Sequence, residues 1–202
     1  MRLLQYKSPQ YGYVFLENFF KYFSISIDIN QNQNDVIFDR EKFTGGEQKN
    51  GRIDGYIYQK ENFALIIENK INHANPTRDQ IKTYIEDIIN PEKETFFDPK
   101  NVWVIYLTVD GSDKPQFSDV DYMIKKKICS EKSTINRYEE IQGDRYFAIN
   151  YQDDILPWLK DEIQPIVMQR DQTLNTGLLQ YIDYLEGMFG KRQQDIDLLR
   201  KS

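Results

Sequence analysis

The sequence predicts an α/β fold, a mixed β-sheet flanked by helices, and three observations carry that prediction. Residues 102–109 are apolar on both faces, the pattern of a strand inside a sheet that is covered on both sides. Residues 52–58 and 63–70 are strand-like runs flanking the polar Gln59-Lys60-Glu61-Asn62, which reads as a β-hairpin. Apolar residues at helical spacing lie before, between and after these strands, so the elements alternate rather than segregate.

Taken in order, residues 12–23 gather Val14, Phe15, Leu16, Phe19, Phe20 and Phe23 on one broad helical face. A short strand is expected near residues 24–29. After a polar break another begins at residues 36–38 and ends at Asp39-Arg40-Glu41. The Gly45-Gly46 and Asn50-Gly51 pairs mark a turn before the hairpin. Residues 77–90 form a helix with Ile81, Ile85, Ile88 and Ile89 inward; Thr77 and Gln80 fit a capping box, and Pro91 helps to stop it. Residues 102–109 follow, then a polar loop with the basic run Lys125-Lys126-Lys127, and a short strand at residues 146–150. Helices occupy the chain from about residue 153, with Ile155, Leu156, Leu159 and Ile163 inward, and again over residues 174–189. At 202 residues the chain has the length of a single domain spanning 1–202.

Composition excludes several functions. Aromatics make up 14% of the chain, so it can bury a core that a disordered chain cannot. A formal net charge of −6 argues against a protein held on nucleic acid by bulk charge, though not against a local basic groove. One cysteine, Cys129, excludes a disulfide framework and a cysteine-rich zinc site; one histidine, His73, excludes a histidine pair on zinc. The first residues lack the apolar core of a secretory signal, and no apolar run is long enough to span a bilayer, so no membrane partner and a cytoplasmic location are expected. Phosphate-binding glycine loops and the nucleophile elbow of serine hydrolases are absent; Gly45-Gly46 reads as a turn.

The hairpin carries polar groups where burial is expected. On the second strand Glu68 and Lys70 point to one side and Asn69 to the other, by strand alternation. A turn centred on Glu61 sets Ile66 opposite Tyr56 and Glu68 opposite Asp54. Two carboxylates would then meet across one rung, roughly 4.5–5.5 Å apart at Cβ. Like charges so placed repel unless a divalent cation joins them, and hard oxygen ligands suit Mg²⁺ or Mn²⁺. The plainer reading is a Glu68–Lys70 ion pair at the wet end of a strand, with Asp54 in a turn.

The series Gly51-Arg52-Ile53-Asp54, Ile67-Glu68-Asn69-Lys70-Ile71 and Gln80-Ile81-Lys82-Thr83-Tyr84 resembles the PD-(D/E)xK nuclease superfamily. It is most similar to a bacterial branch with this ordered pattern, and the similarity continues through Ile105-Tyr106-Leu107-Thr108 and Asp154-Ile155-Leu156-Pro157-Trp158-Leu159. The resemblance implies a restriction-endonuclease-like core and a metal-dependent phosphodiesterase, possessing a nucleic-acid substrate with DNA ranked ahead of RNA. Asp54, Glu68 and the backbone carbonyl of Asn69 would hold Mg²⁺ or Mn²⁺. Lys70 would orient or deprotonate the attacking water and stabilise developing charge. Gln80 and Tyr84, on one helix face, would look back at the site, with Gln80 counted as catalytic and Arg52 and Tyr84 as substrate-binding.

Other roles stay open. Glu41 is a further metal ligand, a support for Arg52 or a solvated acid. Gln80 is equally a cap for the helix, and Tyr84 equally a core residue with a satisfied hydroxyl. Glu17 is the acid nearest to the one that similar sequences carry on a helix before the sheet; their chains extend further upstream, which bears on a second metal. His73 reads as a loop residue and Lys125-Lys126-Lys127 as a solvated charge run. Two functions follow: a metal-dependent nuclease of defence or repair, or a catalytically inactive relative that binds nucleic acid or a protein partner, as a homodimer or otherwise.

Overall fold

The computed structural model describes residues 9–29, 35–44, 51–70, 80–110 and 145–189. Five strands form one sheet in the order β1-β2-β3-β4-β5: β1 (Val36–Thr44), β2 (Gly51–Gln59), β3 (Phe63–Lys70), β4 (Val102–Thr108) and β5 (Tyr146–Asn150). β1, β2 and β3 pair antiparallel, whereas β3, β4 and β5 run parallel, so the sheet is mixed as the sequence predicts. β4 is buried along its whole length and β3 everywhere except Asn69, which is why residues 102–107 and 63–67 read as continuous apolar runs.

Strand alternation divides the core into two layers. Ile57, Phe63, Leu65, Ile67, Trp103, Ile105, Leu107, Phe147 and Ile149 face α1 (Pro9–Tyr22), a helical run α3 (residues 151–170) and α4 (Gln172–Phe189). Tyr56, Ala64, Ile66, Val102, Val104, Tyr106 and Tyr146 face α2 (Gln80–Ile88), which buries Ile81, Tyr84, Ile85 and Ile88 on them. The helix expected over residues 77–90 is described from Gln80, so Thr77 lies outside the described residues, as do His73, Lys125-Lys126-Lys127 and Cys129.

Residues 24–29 are not a strand. α1 ends in a left-handed residue, Ser24 (φ 54°), with Ser24 N–H donating to Lys21 O at 3.2 Å and Ile25 N–H to Phe20 O at 2.8 Å. That paired return is a Schellman stop, and Ile25 joins Phe20 in the core to close it. Ile25, the first apolar residue of that stretch, is therefore the hydrophobic lock of a helix end. β1 runs on beyond Glu41 to Thr44, because β2 starts at Gly51 and supplies backbone partners that far.

α3 starts at β5 with a reciprocal cap: Asn150 Oδ1 accepts from Asp153 N–H and Asp154 Oδ2 from Asn150 N–H, both at 2.7 Å. Its turns widen to i→i+5 bonding at Tyr151–Ile155 and Leu159–Ile163. It is tied to α1 by Trp158 Nε1–H donating to Asn18 Oδ1 (2.7 Å) and Asn18 Nδ2–H to Glu162 Oε2 (3.0 Å). Asp171 leaves the helical region and its Oδ1 accepts Leu174 N–H at 2.9 Å, ending α3 and capping α4. No helix among the described residues is long and apolar enough to cross a membrane.

Candidate active site

The β2–β3 ladder has the register expected from the turn at Glu61: Gln59 faces Phe63, Tyr56 faces Ile66, and Gly55 faces Ile67. Glu61 itself takes φ 62°, the left-handed corner of that turn. One expectation fails, because the ladder ends at Gly55–Ile67 and Asp54 does not form a backbone rung with Glu68. Ile53 and Tyr56, three residues apart, both pack toward α2, so alternation breaks at Asp54-Gly55. The exposed Asp54 uses its carboxylate where a strand carbonyl would otherwise sit: Oδ2 accepts Asn69 N–H at 2.9 Å. Asp54 is thus fixed to β3 through the residue after Glu68. The β1–β2 register, Arg40 with Gly55 and Lys42 with Ile53, sets Glu41 across from Asp54 along the backbone.

Glu68 and Lys70 extend from β3 toward the α2 layer and are 2% and 7% exposed. Lys70 Nζ lies 2.6 Å from Glu68 Oε1 and donates to Gln80 Oε1 at 3.0 Å. Gln80 Nε2–H donates to the Tyr84 hydroxyl at 2.5 Å, which in turn donates to the Arg52 carbonyl at 2.5 Å. The i, i+4 pair of α2 therefore bridges the end of β3 to the start of β2, two residues before Asp54. Of Arg52, it is the backbone carbonyl that meets this network; the residue is exposed. Glu17 lies apart from it, exposed on α1 with Tyr13 as hydrogen-bond partner.

The electrostatics are those of a charge held at a cost. Burial pushes the Glu68 carboxyl up to about 7; the Lys70 hydrogen bond pulls against that and the Asp54 charge reinforces it. Burial also raises the Tyr84 hydroxyl to about 12, so it stays protonated and able to donate to Arg52. Glu68 Oε2 is buried without a hydrogen-bond partner. An orphaned carboxylate oxygen is costly in a folded core.

That atom provides a fit test for a divalent cation. Among the described residues no three His, Cys, Asp or Glu side chains cluster to hold a metal. A Mg²⁺ ion does not need three, since it keeps several waters and takes one or two carboxylates together with substrate phosphate. Asp54, the free oxygen of Glu68 and the Asn69 carbonyl match that demand in number and hardness.

One neighbour of the site was not legible as such. Tyr151, the first residue beyond β5, has its hydroxyl 3.4 Å from Asn69 Oδ1. Its signal is topological: β3, β4 and β5 are parallel, with Lys70 beside Thr108 and Thr108 beside Asn150, so their ends share one sheet edge. The sequence alone does not reveal the direction of β5.

A five-stranded mixed sheet between helices, with an Asp on one hairpin strand and Glu-x-Lys closing the next, defines a restriction-endonuclease-like α/β protein. The family model of the PD-(D/E)XK nuclease superfamily matches residues 3–183, and the chain belongs to that superfamily. Its members are usually nucleases and generally use divalent metals. No curated protein and no solved structure matches the chain.

Proposed function

We propose that this protein is a divalent-metal-dependent nuclease that hydrolyses phosphodiester bonds in DNA, with Mg²⁺ or Mn²⁺ held by Asp54, Glu68 and the Asn69 carbonyl. The observation that carries the reading is the buried Glu68, one oxygen on Lys70 and the other without a partner, beside an exposed Asp54 carboxylate. A protein gains nothing in stability from such an arrangement, and functional sites are where unfavourable charge is kept.

When bound, a divalent cation supplies Lewis-acid polarisation of the phosphate and a more acidic water. Lys70 brings a positive charge to the same edge, aimed by Glu68 and Gln80, where it stabilises the charge that develops on the phosphate oxygens. Gln80 holds the Lys70 ammonium beside Glu68, and Tyr84 fixes Gln80. Arg52, exposed beside Asp54, reaches the substrate backbone, and Glu41, whose backbone lies across from Asp54, is the candidate for a further oxygen ligand.

The test is cleavage of single- and double-stranded DNA and of RNA by purified protein with Mg²⁺, Mn²⁺ or EDTA, beside Glu68→Gln and Lys70→Met. Metal-dependent cleavage of DNA lost in both variants supports the reading. Cleavage that survives EDTA or both substitutions rejects it. Binding of DNA without cleavage under any metal assigns the chain to the inactive, binding class instead.

A further inference from the structure

The geometry points to Tyr151 as a positioning residue for metal binding: its hydroxyl holds the Asn69 side chain, and thereby sets the Asn69 carbonyl as a cation ligand. This inference rests on the proposed metal site. Asn69 lies between Glu68 and Lys70, and its side chain falls on the opposite face of the sheet, the α1/α3/α4 layer. Three constraints meet on this residue. Its N–H donates to Asp54 Oδ2 at 2.9 Å. Its strand pairs in parallel with β4, Asn69 beside Leu107. Its Oδ1 faces the Tyr151 hydroxyl at 3.4 Å.

The first two constraints act on the backbone at Asn69, through its N–H and through the ladder to β4. The third holds the side chain, which shares the Cα and so narrows the tilt of the peptide plane that carries the carbonyl. Tyr151 is itself well anchored. It is 4% exposed at the first turn of α3, beside the Asn150 cap, and its hydroxyl is hydrogen-bonded to Tyr181 of α4. A line of contacts therefore runs from α4 to the candidate ligand without touching Glu68, Lys70 or Gln80. Groups that orient a metal ligand typically contribute ~10–100-fold in metal affinity or activity.

Tyr151→Phe removes the hydroxyl and keeps the ring in the core. Asn69→Ala removes the amide and keeps the backbone carbonyl. Mn²⁺ affinity is measured by calorimetry on wild type, both single variants and the double variant, with melting in EDTA as the fold control. The expected result is Mn²⁺ binding weakened about tenfold in each single variant, no further loss in the double, and a metal-free melting transition that stays cooperative, lowered by no more than the loss of one buried hydrogen bond brings. The Asn69 side-chain amide signal should also shift in metal-free Tyr151→Phe. Wild-type Mn²⁺ affinity retained in Tyr151→Phe, or losses that simply add in the double variant, overturns the inference while leaving the metal site standing. A wild type that binds no Mn²⁺ overturns both.

Discussion

Glu68→Gln separates the charge of Glu68 from its shape. Gln keeps an oxygen for Lys70 Nζ, which now sits 2.6 Å from Glu68 Oε1, and it fills the same volume. What it removes is the buried negative charge. The Glu68 carboxyl is raised from an ordinary 4.5 to about 7. At ~1.4 kcal/mol per pH unit, that displacement corresponds to roughly 3 kcal/mol of penalty on the ionised form. Because the folded value lies above the unfolded one, the stability linked to Glu68 is fully present below pH 4.5 and is lost as pH rises through about 7. Gln does not titrate, so the stability of Glu68→Gln relative to wild type should climb by up to roughly 3 kcal/mol between pH 4.5 and pH 8.5. In a domain of this size that is a swing of about 6–12 °C in the difference of melting temperatures.

The assay is denaturation of both proteins in EDTA at fixed ionic strength across that range. Only the change in the difference with pH matters, so a constant offset from repacking drops out. With Mn²⁺ at about a hundredfold over its Kd, wild type should recover roughly 2.7 kcal/mol by mass action, and Glu68→Gln should recover little. A difference that stays flat with pH, or a wild type that gains on the variant as pH rises, refutes the reasoning. Lys70 would then outweigh burial, and the pair would be an ordinary ion pair.

Further expectations follow from the same geometry. Lys70→Met should reduce turnover about a hundredfold or more with Mn²⁺ binding retained, read by single-turnover cleavage and calorimetry. Asp54→Asn keeps an acceptor for Asn69 N–H, so the fold should hold within ~1 kcal/mol while Mn²⁺ binding drops at least tenfold; a wild-type isotherm would remove Asp54 from the ligand set. Tyr84→Phe takes the donor from the Arg52 carbonyl and should destabilise by about 1–3 kcal/mol in denaturant melts, whereas Gln80→Ala, which strips Lys70 of its second partner, should act mainly on kcat. Protons compete with the cation for Glu68, so apparent Mn²⁺ affinity should weaken by up to about tenfold per pH unit below pH 7 and level off above it.

The sheet was legible because its strands advertise themselves by burial. β4 is apolar on both faces since helices cover both, and β2 and β3 fall into register because a short turn with Glu61 in the left-handed region leaves no slack. The end of α1 reads as a strand in sequence for a related reason: Ile25 is buried to lock a helix stop, and a buried apolar residue after a helix looks the same in sequence as the start of a strand. The candidate site divides along the same line. Glu68, Lys70, Gln80 and Tyr84 are set by local periodicities, two residues along a strand and four along a helix, and those survive translation into three dimensions. Asp54 and Tyr151 depend on relations that no local period encodes. The alternation break at Asp54-Gly55 turns an expected rung into a carboxylate-to-backbone bond, and Tyr151 reaches Asn69 across 82 positions of chain through the parallel β3, β4 and β5. Both irregularities converge on Asn69, the residue between Glu68 and Lys70, with Asp54 on its N–H and Tyr151 on its side chain. A strand end held at its edge by Asp54 and from one face by Tyr151 is tied by more than its own sheet pairing, which is what a carbonyl serving as a cation ligand requires.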